Sequence, residues 1–291
     1  FCVLVFAMVT PIEPVFEKYL RDKPRLSYSS PDHHWISRKV TEGLEFALGG
    51  DRLETIYSTL KAKDLKPQEF FAEALNATKI DWSCDTSALD LIPDGSPVVF
   101  VSNHPFGLID GLILCNIAAS VCGEFKILIN ALLFQDRDLA KHFLPVDFAQ
   151  GPQARECNIA TKRNALEALA QGIPVAIFPS GKVSTADLFG FGRVADAPWT
   201  TFVAKLIRQS RAMVVPVFFF GKNSRSFHIA SHLAEPVRMG LLAREANRQF
   251  GKRVNLRIGK PIAAQEMANL GSRSELTHYL YNQVQNLARA S

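Results

Sequence analysis

The chain of 291 residues carries a net charge of +5, with 47% hydrophobic and 21% charged positions, which marks it as ordered and globular and large enough for a full hydrophobic core. Five cysteines (Cys2, Cys84, Cys115, Cys122, Cys157) without C-x-x-C spacing argue against a disulfide framework or a zinc site and for a reducing compartment. The basic balance favours acidic partners, but zinc-finger spacing, RNP-like aromatics and long Lys/Arg runs are missing, so nucleic acid is not expected.

The run 1–9 is apolar but short of the roughly 20 residues a spanning helix needs. It reads as the stump of a signal or anchor, an interfacial segment or a buried helical turn, and the lack of an initiating Met suggests truncation or processing. Residues 1–92 read as a mostly helical N-terminal region. Residues 35–48 place Val40, Leu44, Ala47 and Leu48 on one helical face before Gly49-Gly50, and Pro67 opens a helix with Phe70, Phe71 and Leu75 inward.

From 93 to the end, short apolar runs alternate with helical patterns. Strands are expected at 98–101, 127–129, 173–178, 213–218 and 254–258, and helices at 111–119, 159–170 and 202–209. Ser272 and Glu275 form a capping box before Leu276, Leu280, Val284 and Leu287. Strand cores apolar on both faces predict an α/β fold, a mixed central sheet flanked by helices. Functional loops in such folds follow the carboxyl ends of strands.

Two unusual segments fall there. Asn103-His104-Pro105-Phe106-Gly107-Leu108-Ile109-Asp110-Gly111 puts an imidazole on a strand-to-helix loop and a carboxylate at the start of the next helix. An imidazole oriented by a carboxylate can take a proton from a hydroxyl near neutral pH, and the helix N-terminus offers free backbone donors to an oxyanion. On spacing alone, Asp110 as a simple helix cap and His104 as a surface-loop residue fit at least as well. The second, Phe178-Pro179-Ser180-Gly181-Lys182-Val183-Ser184, suits a phosphate- or carbonyl-holding turn, but it is neither a Walker A loop nor a nucleophile elbow. A third, Val214-Val215-Pro216-Val217-Phe218-Phe219-Phe220-Gly221-Lys222-Asn223-Ser224, is a buried strand entering a polar loop.

In this order, with Gly259-Lys260-Pro261-Ile262, these segments resemble the blocks of the phospholipid/glycerol acyltransferase superfamily, in particular its hemolysin-like branch with an N-H-P-x-G-x-x-D-G block. The resemblance covers about 95–262 and implies an acyltransferase-like domain over 93–291. It implies transfer of a fatty acyl group from acyl-CoA or acyl-carrier protein, as co-substrate, to a hydroxyl or amine of a lysophospholipid or related lipid acceptor. No resident cofactor or metal is expected. Carried over, His104 is the general base and Asp110 its partner. Asn103, Gly107, Pro179, Ser180, Gly181 and Asn223 fall in substrate-binding blocks, and Lys182 or Arg193 supplies the counter-charge for an acidic head group.

The chain departs from the family in two places. Five residues separate His104 from Asp110 where most of the superfamily has four, with Gly107 placed to absorb the extra one. Ser180 replaces the acidic residue of F-P-E-G, and Lys182 stands where the branch often has Glu, which implies a changed acceptor. Attachment to the cytoplasmic face of the inner membrane is expected from the 21 phenylalanines, the basic charge and the apolar start. Two other classes compete: an inactive lipid-binding or membrane-perturbing protein, and a hydrolase using Ser180 or Cys115. The buried context of Cys115 and the missing elbow at Ser180 speak against the hydrolase.

Overall fold

In the computed structural model, residues 12–24, 35, 39, 43, 49–63, 65–187, 189–232 and 235–289 are described. The apolar runs form one seven-stranded sheet in the order β1-β7-β6-β2-β5-β3-β4. Its strands are β1 (Asp81–Ser83), β2 (Val98–Ser102), β3 (Lys126–Asn130), β4 (Phe143–Val146), β5 (Val175–Ile177), β6 (Met213–Phe220) and β7 (Arg253–Ile258). Neighbours run parallel except β6 and β7, so the sheet is mixed, as expected.

β2 lies at the centre, with Val99 opposite Val175 of β5 and Val214 of β6, and every one of its residues is buried. Its two faces feed two cores. Val98 and Phe100 pack with α2 (Gly50–Lys61), α3 (Pro67–Thr78), α4 (Leu108–Cys122) and α8 (Glu235–Gln249). Val99 and Val101 pack with α5 (Pro152–Ala170), α6 (Phe202–Ser210) and α10 (Arg273–Leu287). Covering both faces removes the selection for alternation that a half-exposed strand would show, which is why V-V-F-V is uniformly apolar. Further short α-helices are α1 (Pro14–Glu17), α7 (Arg225–Ala230) and α9 (Ala264–Ala268).

Local chemistry explains most boundaries. α4 extends beyond the expected 111–119 at both ends. It starts after Gly107 (φ 79°) and stops at Gly123 (φ 81°), whose N–H returns to the Ala119 carbonyl at 2.7 Å. Phe70, Phe71 and Leu75 of α3 are buried, and the capping box at Ser272 and Glu275 is formed at 2.9 and 3.1 Å. Two strands escaped the sequence reading. β1 is three residues of Asp-Trp-Ser on one sheet edge, and β4 carries Pro145 on the other edge, where its missing N–H removes no ladder bond. The expected apolar start at 1–9 and most of the expected helix at 35–48 lie outside the described residues. The described cysteines Cys84, Cys115, Cys122 and Cys157 are free thiols.

For the site, one consequence matters. β2 and β5 are adjacent and parallel, with Val101 opposite Ile177, so the loops after both strands emerge side by side. That brings His104 and the 178–184 segment together.

Candidate active site

β2 ends at Ser102, and Asn103 locks the exit. Its side-chain amide donates to the Phe219 carbonyl at 2.9 Å and its carbonyl oxygen accepts the Phe219 N–H at 2.8 Å, clipping β2 to β6. His104 follows, its backbone held from both sides: its N–H donates to Asp196 Oδ1 at 3.2 Å and its carbonyl accepts the Ser184 N–H at 2.8 Å.

The chain then turns through Gly107 and places Asp110, fully buried, in the first turn of α4. Asp110 Oδ2 collects three donors: the N–H of Phe106 at 2.7 Å, the N–H of Gly107 at 3.1 Å and Nδ1 of His104 at 3.1 Å. The cap and the histidine partner are therefore one carboxylate. The extra residue between His104 and Asp110 is taken up by the left-handed turn at Gly107, a backbone shape that glycine adopts without steric cost. Burial pushes the Asp110 carboxyl above the ordinary carboxylate range, opposed by the His104 ring and the two backbone donors. With two backbone N–H groups already directed at Oδ2, that oxygen is an acceptor for Nδ1 too, so a neutral ring carries its proton on Nδ1 and its lone pair on Nε2. The ring lies flat on Phe178, centroids 3.8 Å apart at 20°, which fixes its second rotational freedom.

The N–H groups of Phe106 and Gly107 are spent on Asp110, so an oxyanion held at the start of α4 would have to use the N–H groups of the first turn proper.

His104 opens onto a cavity of about 760 Å³, within the roughly 300–1,000 Å³ usual for small-molecule sites. From His104 the lining follows Leu108, Gly111, Leu112 and Cys115, about 12 Å of helix, towards Tyr57, Leu60 and Phe70. This wall is apolar. At its far end lies a polar group in which the buried Asp136 accepts from Tyr57 Oη and pairs with Lys61 at 3.2 Å. At the His104 end the polar groups include Lys182 and Arg238, the latter donating to the Val183 carbonyl at 3.2 Å.

Of the substrate-site candidates, Gly107, Pro179, Gly181 and Lys182 line this cavity; Asn103, Ser180, Arg193 and Asn223 do not. Asn103 is consumed by Phe219. Ser180 Oγ donates to the Lys182 carbonyl at 2.8 Å, closing a tight turn in which Gly181 has φ 65°. Arg193 is exposed on the loop beyond, and Asn223 is buried, its amide without a hydrogen-bond partner among the described residues. Cys115 touches the cavity from the middle of α4, where burial pushes its thiol well up, away from a nucleophilic thiolate.

The sequence reading missed Arg238 and Asp196. Arg238 comes from α8, more than thirty positions beyond Thr200 and Phe202, the nearest lining residues before that helix, and no local spacing signals it. Asp196 ties the site together by accepting from the His104 N–H, from Ser184 Oγ and from Trp199 Nε1, the last at 2.8 Å. The site thus presents an imidazole oriented by a buried carboxylate, a long apolar chamber, and two cations beside them.

Several known proteins are similar to this chain. Residues 44–290 match the family described as acyltransferase. A lyso-glycine lipid O-acyltransferase of Phocaeicola vulgatus is 30% identical over 254 residues, covering 84% of this chain and 85% of that protein. The lyso-glycine lipid O-acyltransferase of Bacteroides thetaiotaomicron is 27% identical over 280 residues, covering 93% and 96%. The crystal structure of the 1-acyl-sn-glycerophosphate acyltransferase from Thermotoga maritima is similar in fold, with a TM-score of 0.50 at 17% identity over 87% of this chain and 88% of that one. With its blocks in order and the match running over most of its length, the chain belongs to the acyltransferase family, within the phospholipid/glycerol acyltransferase superfamily.

Proposed function

We propose that the protein transfers a fatty acyl group from acyl-CoA or acyl-carrier protein to the hydroxyl of a lysolipid, with His104 as general base and Asp110 as its partner. The observation that carries this reading is the 3.1 Å contact between His104 Nδ1 and Asp110 Oδ2 at the wall of a long apolar cavity. The cavity suits an acyl chain. Nε2 takes the hydroxyl proton while the acceptor oxygen attacks the thioester carbonyl carbon; the C–S bond then breaks, and the departing thiolate recovers a proton from the imidazolium. No acyl-enzyme intermediate is required.

The relatives named as lyso-glycine lipid O-acyltransferases support an amino-acid lipid acceptor. A glycine head group joined through its amine presents a carboxylate, which Lys182 and Arg238 at the cavity mouth are suited to hold. The same cations and the loss of the acidic residue at Ser180 fit an acidic head group better than a neutral one. We further propose that the protein works at the cytoplasmic face of the inner membrane. Attachment in this reading is peripheral. No described helix is long and apolar enough to cross a bilayer.

The test is His104→Ala with purified protein, following thiol release from an acyl thioester in the presence of a lyso-glycine lipid. Transfer falls by about 10²–10⁴, as for loss of a general base, while the melting temperature and lipid binding stay near wild type. If wild-type protein transfers no acyl group but binds the lipid, a binding protein that has lost turnover replaces the enzymatic reading.

A further inference from the structure

Residues 185–195 leave the site as a closed loop. Thr185 and Ala195 exchange both backbone hydrogen bonds at 3.0 Å, and each flank is bonded to His104: the Ser184 N–H to its carbonyl and Asp196 to its N–H. At the tip, Phe189 and Phe191 expose 71% and 69% of their surface, although the loop is not slack. Asp187 Oδ1 accepts the N–H groups of Phe189 and Phe191 at 3.2 and 3.1 Å, and the Asp187 carbonyl accepts that of Gly190 at 2.9 Å. From α7, Arg225 Nε donates to the Phe189 carbonyl at 2.9 Å, and its guanidinium lies 3.5 Å from the centre of the Phe191 ring.

Two phenyl rings are therefore held out in water by a frame that prevents them from folding back. A single exposed apolar side chain needs no explanation, but a braced pair does. The charges around the loop are uneven. Lys182, Arg193, Lys222 and Arg225 are exposed, and none of them makes an ion pair with an acidic side chain among the described residues. The acidic residues of the loop region, Asp187 and Asp196, are both engaged internally. Apolar tips flanked by Arg225 and by Arg193 of the same loop match the chemistry of an anionic bilayer surface, in which rings enter the acyl boundary and cations stay among the head groups.

We propose that this loop is the membrane dock of the protein and that anionic lipid is its partner. The proposal rests on the acceptor being a membrane lipid. It also gives a role to Arg193, which does not line the cavity. Because both flanks of the loop are bonded to the His104 backbone, docking the tip would set the catalytic mouth against the lipid surface.

The experiment is co-sedimentation of the full chain with vesicles of phosphatidylcholine alone and of equimolar phosphatidylcholine and phosphatidylglycerol. Wild-type protein should pellet with the anionic vesicles, less well as salt is raised. Phe189→Ser with Phe191→Ser should weaken binding by about tenfold for each ring removed, and Arg193→Gln by a smaller factor that vanishes at high salt. The double variant should keep wild-type turnover of a water-soluble short-chain acceptor, which separates loss of docking from loss of catalysis. Unchanged vesicle binding in the double variant overturns the proposal. So does wild-type protein that pellets equally with both vesicles, or a double variant that instead loses self-association in solution, which would make the tip a contact between copies.

Discussion

Replacing Asp110 by Asn separates its two jobs, because the backbone decides how the new amide must sit. The N–H groups of Phe106 and Gly107 both point at Oδ2. Only an oxygen can accept from them, so the Asn carbonyl occupies that position and the amino group takes the place of Oδ1, which has no hydrogen-bond partner among the described residues. The Nδ1 proton of His104 still finds an acceptor, and the tautomer survives. Only the negative charge that would stabilise the imidazolium is lost. At an effective dielectric of about 20, unit charges 3.1 Å apart interact by about 5 kcal/mol, an upper bound for the charged pair. A fall in kcat of about 10²–10³, or about 3–4 kcal/mol, is expected, with KM little changed. Stability should move far less. The orphaned amino group costs about 1–3 kcal/mol, but the variant escapes the desolvation that raises the Asp110 carboxyl. Asp110→Ala, by contrast, strands three donors and should destabilise the fold markedly. Thiol release with purified protein, paired with thermal melts, reads both effects. Wild-type turnover in Asp110→Asn would refute the partnership and leave Asp110 as a helix cap alone.

Three further outcomes are expected. Gly111 lines the cavity, and a Cβ there would meet nothing within 4 Å, so Gly111→Leu should fold normally yet shift donor preference to shorter acyl chains in a chain-length series. Arg238→Ala should raise KM for an acidic acceptor by about 10–100-fold, as for a lost charge-assisted hydrogen bond, with a smaller change in kcat and partial rescue by Lys. His142 is held neutral, its value lowered by burial from 6.5 to about 4 while its Nδ1 donates to the Phe125 carbonyl at 3.2 Å. The folded state then binds fewer protons than the unfolded chain between those values. Stability should be full above pH 6.5 and fall by about 3 kcal/mol as pH drops through the window to 4, seen in denaturant melts, and His142→Phe should flatten that slope.

The sequence by itself determined the central strands, because burial on both faces leaves uninterrupted apolar runs such as Val98 to Val101, and it determined the closing helix, because Ser272 and Glu275 cap it locally. It also placed His104 and Asp110 in one short block, close enough in sequence for the local turn at Gly107 to join them. What depends on distance along the chain was not legible there. The edge strands β1 and β4 are ordered by pairing rather than by their own composition, so Asp-Trp-Ser and a strand with Pro145 carry no strand signal. Asn103 looks like a binding residue until β6 arrives beside it and takes both ends of its amide. Arg238 and Asp196 reach the site only after the sheet has closed, and the acyl-sized chamber exists only between α2, α3, α4 and the sheet. Local pattern encodes periodicity, caps and turns, whereas a cavity and its counter-charges are made by the packing of elements that are remote in sequence, and that was decided by the tertiary structure alone.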